Sequence, residues 1–287
     1  SMWNRPVWEA PEEYNDMVGT FKLWHTKEVG VINPADTNRS PYGITFNPVD
    51  KFTYIVARSG FVYRYNQYTG PTLTKWSTVA ATAVRGIAAD HNGDLILGGS
   101  MLQKLLRSDP TPTGLTTIIS GIGYTTGAVA LAELGYLYDL YQVGTSTFAA
   151  DEGNDCIMEY TGTVWSTFAC RCTVQGEQDG TFASCTMNTP RSIVFQNHSS
   201  TALGYVSNYV PGGSTVRKLD QFWGSVTTIF KPAAGDSFSK MVAHPFHEDM
   251  LLVSSIDSKG LYLVHKGEAQ FFAATSNVVA QSQGSYW

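Results

Sequence analysis

The chain has 287 residues, of which 43% are hydrophobic, 13% aromatic and 15% charged. That composition can bury a sizeable core and excludes a disordered segment. A net charge of −5 without a basic stripe argues against nucleic acid as a partner, and no run approaches the ~18–20 consecutive apolar residues of a membrane span.

Ser1-Met2 reads as the scar of a removed tag, which places the natural N-terminus and any signal peptide outside this sequence. The composition favours strands. There are 27 Gly, 15 Tyr, 14 Phe and 7 Trp, and aromatic and β-branched residues suit a pleated, half-buried surface. One weak helical stretch, Val129 to Tyr141, is interrupted by Gly135.

Along the chain one unit recurs: a small residue with an apolar triplet, a polar turn, an apolar strand, a polar loop and another strand. The copies start at Pro41 (PYGITFNPVDKFTYIVARSGFVYRYN), at Val84 (VRGIAADHNGDLILGGSMLQKLLRSD) and near Gly127 (GAVALAE, resuming as TFAADEGNDCIMEYTG). Two more start at Pro190 (PRSIVFQNHSSTALGYVSNYVPGGSTVRKLD) and Lys240 (KMVAHPFHEDMLLVSSIDSKGLYLVHKG). Gly43 to Gly86 is 43 residues, Gly86 to Ala128 is 42 and Ser192 to Met241 is 49. The long interval, 64 residues from Ala128 to Ser192, holds two insertions, at Val129–Gly144 and around Arg171–Ser184.

A period of about 40–50 residues with several short strands in each is the signature of β-propeller blades. A lone blade cannot bury both faces, so blades pack on neighbours and close a ring. The expectation is an all-β fold, a single β-propeller domain over residues 1–287. Its repeats lie near 41–83, 84–126, 127–189, 190–238 and 239–270. Strand-like pieces at about 20–40 and 269–287 suggest a sixth blade built from both termini, which would close the ring. A five-bladed ring with terminal extensions is the competing count.

Three motifs carry a family likeness. Pro190-Arg191-Ser192-Ile193 and Arg85-Gly86-Ile87 match a P-R-G-I blade start. Asp151-Glu152-Gly153-Asn154-Asp155-Cys156-Ile157 matches an A-D-x-x-N-x-R-I turn. The stretch from Val164 to Ile193 follows a T-x-A-G, D-G, F-N-x-P-R-G-I linker, with Cys170 and Ser192 where Gly is usual. In these features the chain resembles the NHL family of β-propellers, over roughly residues 40–265. The resemblance implies a fold and not a function, because that fold hosts ligand scaffolds and several enzyme types.

With the copies aligned, the second-strand ends fall on Arg58, Gly99, Asp151, Asn208 and Ser255, and the blade starts on Tyr42, Arg85, Gly127, Arg191 and Lys240. Arg58, Arg85, Asp151, Asn208, Arg191 and Lys240 are therefore expected to ring one mouth of the central channel. They either pair across neighbouring blades or hold an anionic or sugar-like ligand. The acidic run from Asp151 to Glu159 is not an EF-hand: Gly153, Cys156 and Gly162 stand where a ligand, the invariant Gly and the bidentate acid belong. His244-Pro245-Phe246-His247-Glu248-Asp249 reads as a strand-connecting turn rather than a zinc site. No H-E-x-x-H, G-x-S-x-G or P-loop is present. The sequence implies no metal, no cofactor and no catalytic residue.

Cys156, Cys170, Cys172 and Cys185 cluster within thirty residues, and two disulfides are expected. Cys170 and Cys172 are too close to pair easily. This leaves 170–185 with 156–172, or 172–185 with 156–170. Sequons at Asn38 and Asn197 are glycosylation candidates. Together these features favour an extracellular or luminal, monomeric, non-catalytic binding module. It would recognise a protein or glycan partner through loops on one face, with Tyr136, Tyr138 and Tyr141 among the candidate contacts. The alternative is a lactonase-like hydrolase or lyase acting at the channel mouth.

Overall fold

The computed structural model describes residues 40–66, 70–109, 112–196, 203–211, 213–232, 235–244, 247–258 and 260–273. Strands and turns account for all regular structure among them. The first antiparallel sheet is β1 (Pro41–Phe46), β2 (Thr53–Ala57), β3 (Val62–Asn66) and β4 (Gly70–Lys75). The second is β5 (Gly86–Ala89), β6 (Leu95–Gly98), β7 (Leu102–Leu105) and β8 (Thr116–Ile119). Short strands β9 (Gly121–Ile122), β10 (Gly127–Ala128) and β11 (Glu133–Leu134) follow, with β9 and β11 pairing parallel.

The third sheet runs β12 (Leu137–Val143), β13 (Ser146–Asp151), β14 (Cys156–Tyr160) and β15 (Val164–Ala169), with β10 added outside β15. β16 (Gly180–Thr181) is likewise added outside the fourth sheet of β17 (Pro190–Gln196), β18 (Leu203–Asn208), β19 (Thr215–Asp220) and β20 (Ser225–Phe230). The fifth is β21 (Phe238–Ala243), β22 (Met250–Ser255), β23 (Gly260–His265) and β24 (Glu268–Ala273).

The inner strands pack side by side in the order β1, β5, β12, β17, β21, which is the arrangement of a five-bladed β-propeller. The six-blade count is not what the described residues form. Glu268–Ala273, assigned in part to a terminal blade, are the outer strand of the fifth sheet. The remainder of that expected blade, and the sequons at Asn38 and Asn197, lie outside the described residues. No helix among the described residues is long and apolar enough to cross a membrane.

Burial explains the apolar runs. Second strands lie between neighbouring blades, so β6 (LILG) and β18 (LGYVSN) are buried at every position, as expected of strands covered on both faces. Outer strands such as β8 (TTII) are more open to solvent, with Thr116 and Thr117 exposed and only Ile119 buried. Each pair of blades consecutive in sequence shares one apolar layer. Tyr54, Trp76, Ile87 and Leu97 fill the first, Ile96, Leu140, Met158 and Trp165 the second. Phe148, Ile157, Ile193 and Phe195 fill the third, and Tyr205, Val216, Phe238 and Leu251 the fourth. Each such aliphatic or aromatic side chain contributes roughly 1.5–3 kcal/mol on burial.

Two expectations about the third blade are corrected. Its inner strand is Leu137–Val143 and not a segment at Gly127, and Val129–Tyr141 forms no helix. The backbone N–H groups of Gly135 and Tyr136 donate to the Asp151 carboxylate at 3.0 and 3.1 Å instead of entering a helical ladder. The disulfides are Cys156–Cys172 and Cys170–Cys185, the first of the two expected pairings. They bridge separations of 16 and 15 residues, and loops of that size stabilise by about 3 kcal/mol each on chain-entropy grounds. The loop between them is also held by fully buried Arg217, which donates to Asp179 Oδ1 at 2.7 Å and to the carbonyls of Gln178 and Thr186.

Candidate binding site at the channel mouth

The inner strands bring one set of side chains together at one end of the ring. Register shifts fall between Pro41 and Gly43, Leu137 and Asp139, Pro190 and Ser192, and Phe238 and Met241. These shifts bracket Tyr42, Tyr138, Arg191 and Lys240, and Arg85 holds the same place directly ahead of Gly86. A bulge re-aims the extra residue out of the pleat, so five blades contribute Tyr42, Arg85, Tyr138, Arg191 and Lys240 to one cluster.

The positions that follow show why the cluster is tight. A Cβ on Gly43 would meet the Arg85 carbonyl oxygen at 2.9 Å, and one on Gly86 the Asp139 Cα at 3.0 Å. Where the third and fourth blades carry Asp139 and Ser192, the side chains become ties. Asp139 Oδ2 accepts from Ser192 Oγ (2.9 Å) and Ile193 N (3.2 Å), and its Oδ1 takes Lys240 Nζ at 2.6 Å. Ser192 Oγ also accepts from Met241 N at 3.0 Å. One carboxylate thus joins three blades.

The cations divide into two groups. Lys240, buried at 7% exposure, pairs with Asp139 and also donates to the Tyr138 carbonyl at 3.1 Å. Burial pulls its ammonium below the ordinary lysine value; Asp139 works against that and Arg85 adds to it. Arg191 pairs with Glu152 at 2.8 Å and lies over the rings of Tyr209 (3.3 Å) and Tyr138 (4.7 Å). Burial raises the Tyr138 hydroxyl, with Arg191 and Arg85 opposing.

Arg85 has a different environment. Its guanidinium lies 3.9 Å from the Tyr42 ring centroid, its Nε donates to Tyr136 Oη at 3.1 Å, and that hydroxyl donates to the Ala83 carbonyl at 2.9 Å. The exposed Arg58 reaches within 6.0 Å of the same Tyr42 ring. No described carboxylate pairs with Arg58 or Arg85. Among the described residues the mouth therefore has four cations against Asp139 and Glu152, a local excess of positive charge on an acidic protein.

Of the six residues expected at the mouth, Arg58, Arg85, Arg191 and Lys240 are brought together. Asp151 and Asn208 are not. Asp151 is fully buried, and each oxygen accepts two hydrogen bonds, from Gly135 N, Tyr136 N, Asn154 N and Asn154 Nδ2. Burial raises its carboxyl above the ordinary aspartate value and those bonds oppose the rise. Asn208 is also fully buried, with its amide towards Thr215 Oγ1 at 3.4 Å. Tyr141 packs between blades, its hydroxyl on the Phe195 carbonyl at 3.0 Å.

The described part of the His244–Asp249 segment is the turn between β21 and β22. Gln196 Nε2 donates to the carbonyls of His244 and His247, and Asp249 accepts from Tyr205 Oη and pairs with Lys218. Among the described residues no three His, Cys, Asp or Glu side chains converge on a common metal position. Sequence reasoning missed Asp139, Tyr209 and the pairing role of Glu152. The signal was Leu137-Tyr138-Asp139-Leu140, which aligns with Pro41-Tyr42-Gly43-Ile44.

No protein-family model matches the chain, and no curated protein matches it in sequence. Similarity lies in the fold. A gluconolactonase from Xanthomonas campestris superposes with a TM-score of 0.59 at 13% identity, over 84% of this chain and 78% of that one. A Bacteroides thetaiotaomicron protein of unknown function gives 0.56 at 14%, over 79% of this chain and 57% of that one. An auxiliary nutrient binding protein from Bacteroides ovatus gives 0.54 at 12%, over 74% and 56%. The matched regions thus span under two thirds of these two Bacteroides chains.

Proposed function

We propose that this chain is a non-catalytic, NHL-like propeller binding module of an extracellular or luminal protein, which recognises a glycan or protein partner through the mouth face. The observation that carries it is the pair Arg58 and Arg85, which share the Tyr42 ring while no described carboxylate neutralises either. Arg191 and Lys240, which come from the same place in later blades, each have an acid. Uncompensated cations beside amphipathic tyrosines suit recognition, where Tyr and Arg recur as anchors. The two disulfides support an oxidising compartment.

The hydrolase alternative has less support. A catalytic acid or metal ligand needs a carboxylate free to act, whereas Asp139 and Glu152 are paired and Asp151 is enclosed. A glycan array probed with the wild type and with an Arg58→Ala/Tyr136→Ala variant tests the reading. The expected result is retention by the wild type and loss by the variant. Equal retention by both, or turnover of lactone substrates by the purified protein, would contradict it.

A further inference from the structure

The two halves of the mouth differ in what they lack. In the half built from blades three to five, the two described mouth cations, Arg191 and Lys240, each have a carboxylate. In the half built from blades one and two, Arg85 meets only tyrosine side chains among the described residues. Its guanidinium has five N–H donors, and two tyrosine hydroxyls lie beside it. Nε is fixed by Tyr136, whose own proton is committed to the Ala83 carbonyl, so that hydroxyl is oriented to accept. The Tyr42 ring beneath the guanidinium holds its plane. With Nε on Tyr136 and one further hydrogen bond to Tyr42, the remaining N–H donors of the fork suit a planar anion, the geometry that favours bidentate carboxylate. Arg58 supplies a second positive charge 6.0 Å from the centroid of the same ring.

We propose that this open half binds a carboxylate-bearing saccharide, a uronate unit of an acidic glycan. Its carboxylate lies on Arg85 with Arg58 adding attraction, and its pyranose ring lies against the neighbouring tyrosines. The carboxylate is specified by the planar fork. The sugar is specified by half-buried tyrosines that combine an apolar face with a hydroxyl. The inference rests on the mouth being the binding face and adds the ligand class.

The experiment is calorimetric titration with a galacturonate oligomer, a galactose oligomer of equal length, a sulfated galactose oligomer and an acidic peptide. The wild type is expected to bind the galacturonate oligomer, with affinity falling as salt rises. The neutral oligomer should bind about 10–100-fold more weakly, the scale of one charge-assisted contact. Arg85→Gln should lose the same factor, and Arg85→Lys should recover only a minor part of it, because charge without the fork is insufficient. If Arg85→Gln does not fold, the exposed Arg58→Gln is read instead, with a several-fold loss expected.

Equal affinity for the neutral and acidic oligomers would overturn the inference. So would tighter binding of the sulfated oligomer or the acidic peptide. A carboxylate-free partner whose binding is lost in Arg58→Ala/Tyr136→Ala would overturn it and leave the broader reading standing. Failure of every ligand to depend on those residues would remove both.

Discussion

Arg85 and Arg191 occupy the same place in blades two and four, yet the molecule uses them differently. Arg191 is sealed by Glu152 and by two tyrosine rings, in the half of the mouth where Asp139 also ties three blades together. Arg85 stacks on Tyr42 in a half where glycines, Gly43 and Gly86, let backbones meet without side-chain ties. The difference teaches that residue type at a blade start does not fix its role. The acid supplied by the neighbouring blade does, and it converts a cation from a ligand contact into a fastener.

The largest expected effect is on the fastened half. Asp139→Asn leaves Lys240 buried without its partner and should cost about 3–5 kcal/mol in denaturant unfolding; a cost below about 1 kcal/mol would break the distinction. The same pair has a pH signature. Because burial lowers the folded Lys240 pKa below 10.5, the unfolded chain holds more protons in the window between the two values, and stability from this group rises with pH there. The unfolding free energy of the wild type minus that of Lys240→Gln should therefore increase as pH rises towards 10.5. A flat or falling difference would show that Lys240 is not desolvated as described.

Asp151→Asn comes next. It sets an NH2 group against backbone donors now served by a carboxylate oxygen, and should cost about 2–3 kcal/mol without changing ligand affinity. A ligand effect with unchanged stability would return Asp151 to the mouth. Glu152→Gln should cost about 1–2 kcal/mol, since the pair is partly exposed. It should also release Arg191 and raise affinity for the acidic oligomer, sharpening the contrast between fastened and open cations. Arg85→Gln should change stability least, by under about 1 kcal/mol in thermal unfolding.

The propeller was legible in the sequence because apolar triplets recur at blade spacing, and burial between blades needs them. Blade three is not legible in the same way, because Gly127-Ala128-Val129-Ala130 mimics a blade start, while the true start, Leu137-Tyr138-Asp139-Leu140, carries an acid where the other copies have Gly, Ser or Met. Strand position alone places Asp151 and Asn208 at the mouth. They pair instead with Leu137 and Pro190, the residues just before the inner-strand bulges, and stay enclosed, while the bulged Tyr138 and Arg191 join the mouth cluster. The cysteine cluster limited the disulfides to two pairings. The choice between them follows from where the loop after β15 folds back on β14, which pattern alone does not encode.

Titrating the galacturonate oligomer into wild type, Arg85→Gln and Arg191→Gln side by side tests the central claim most directly. The account predicts that Arg85→Gln loses affinity about 10–100-fold at near wild-type stability, while Arg191→Gln keeps affinity and unfolds more easily. Loss of affinity confined to Arg191→Gln, or equal in the two variants, would contradict it.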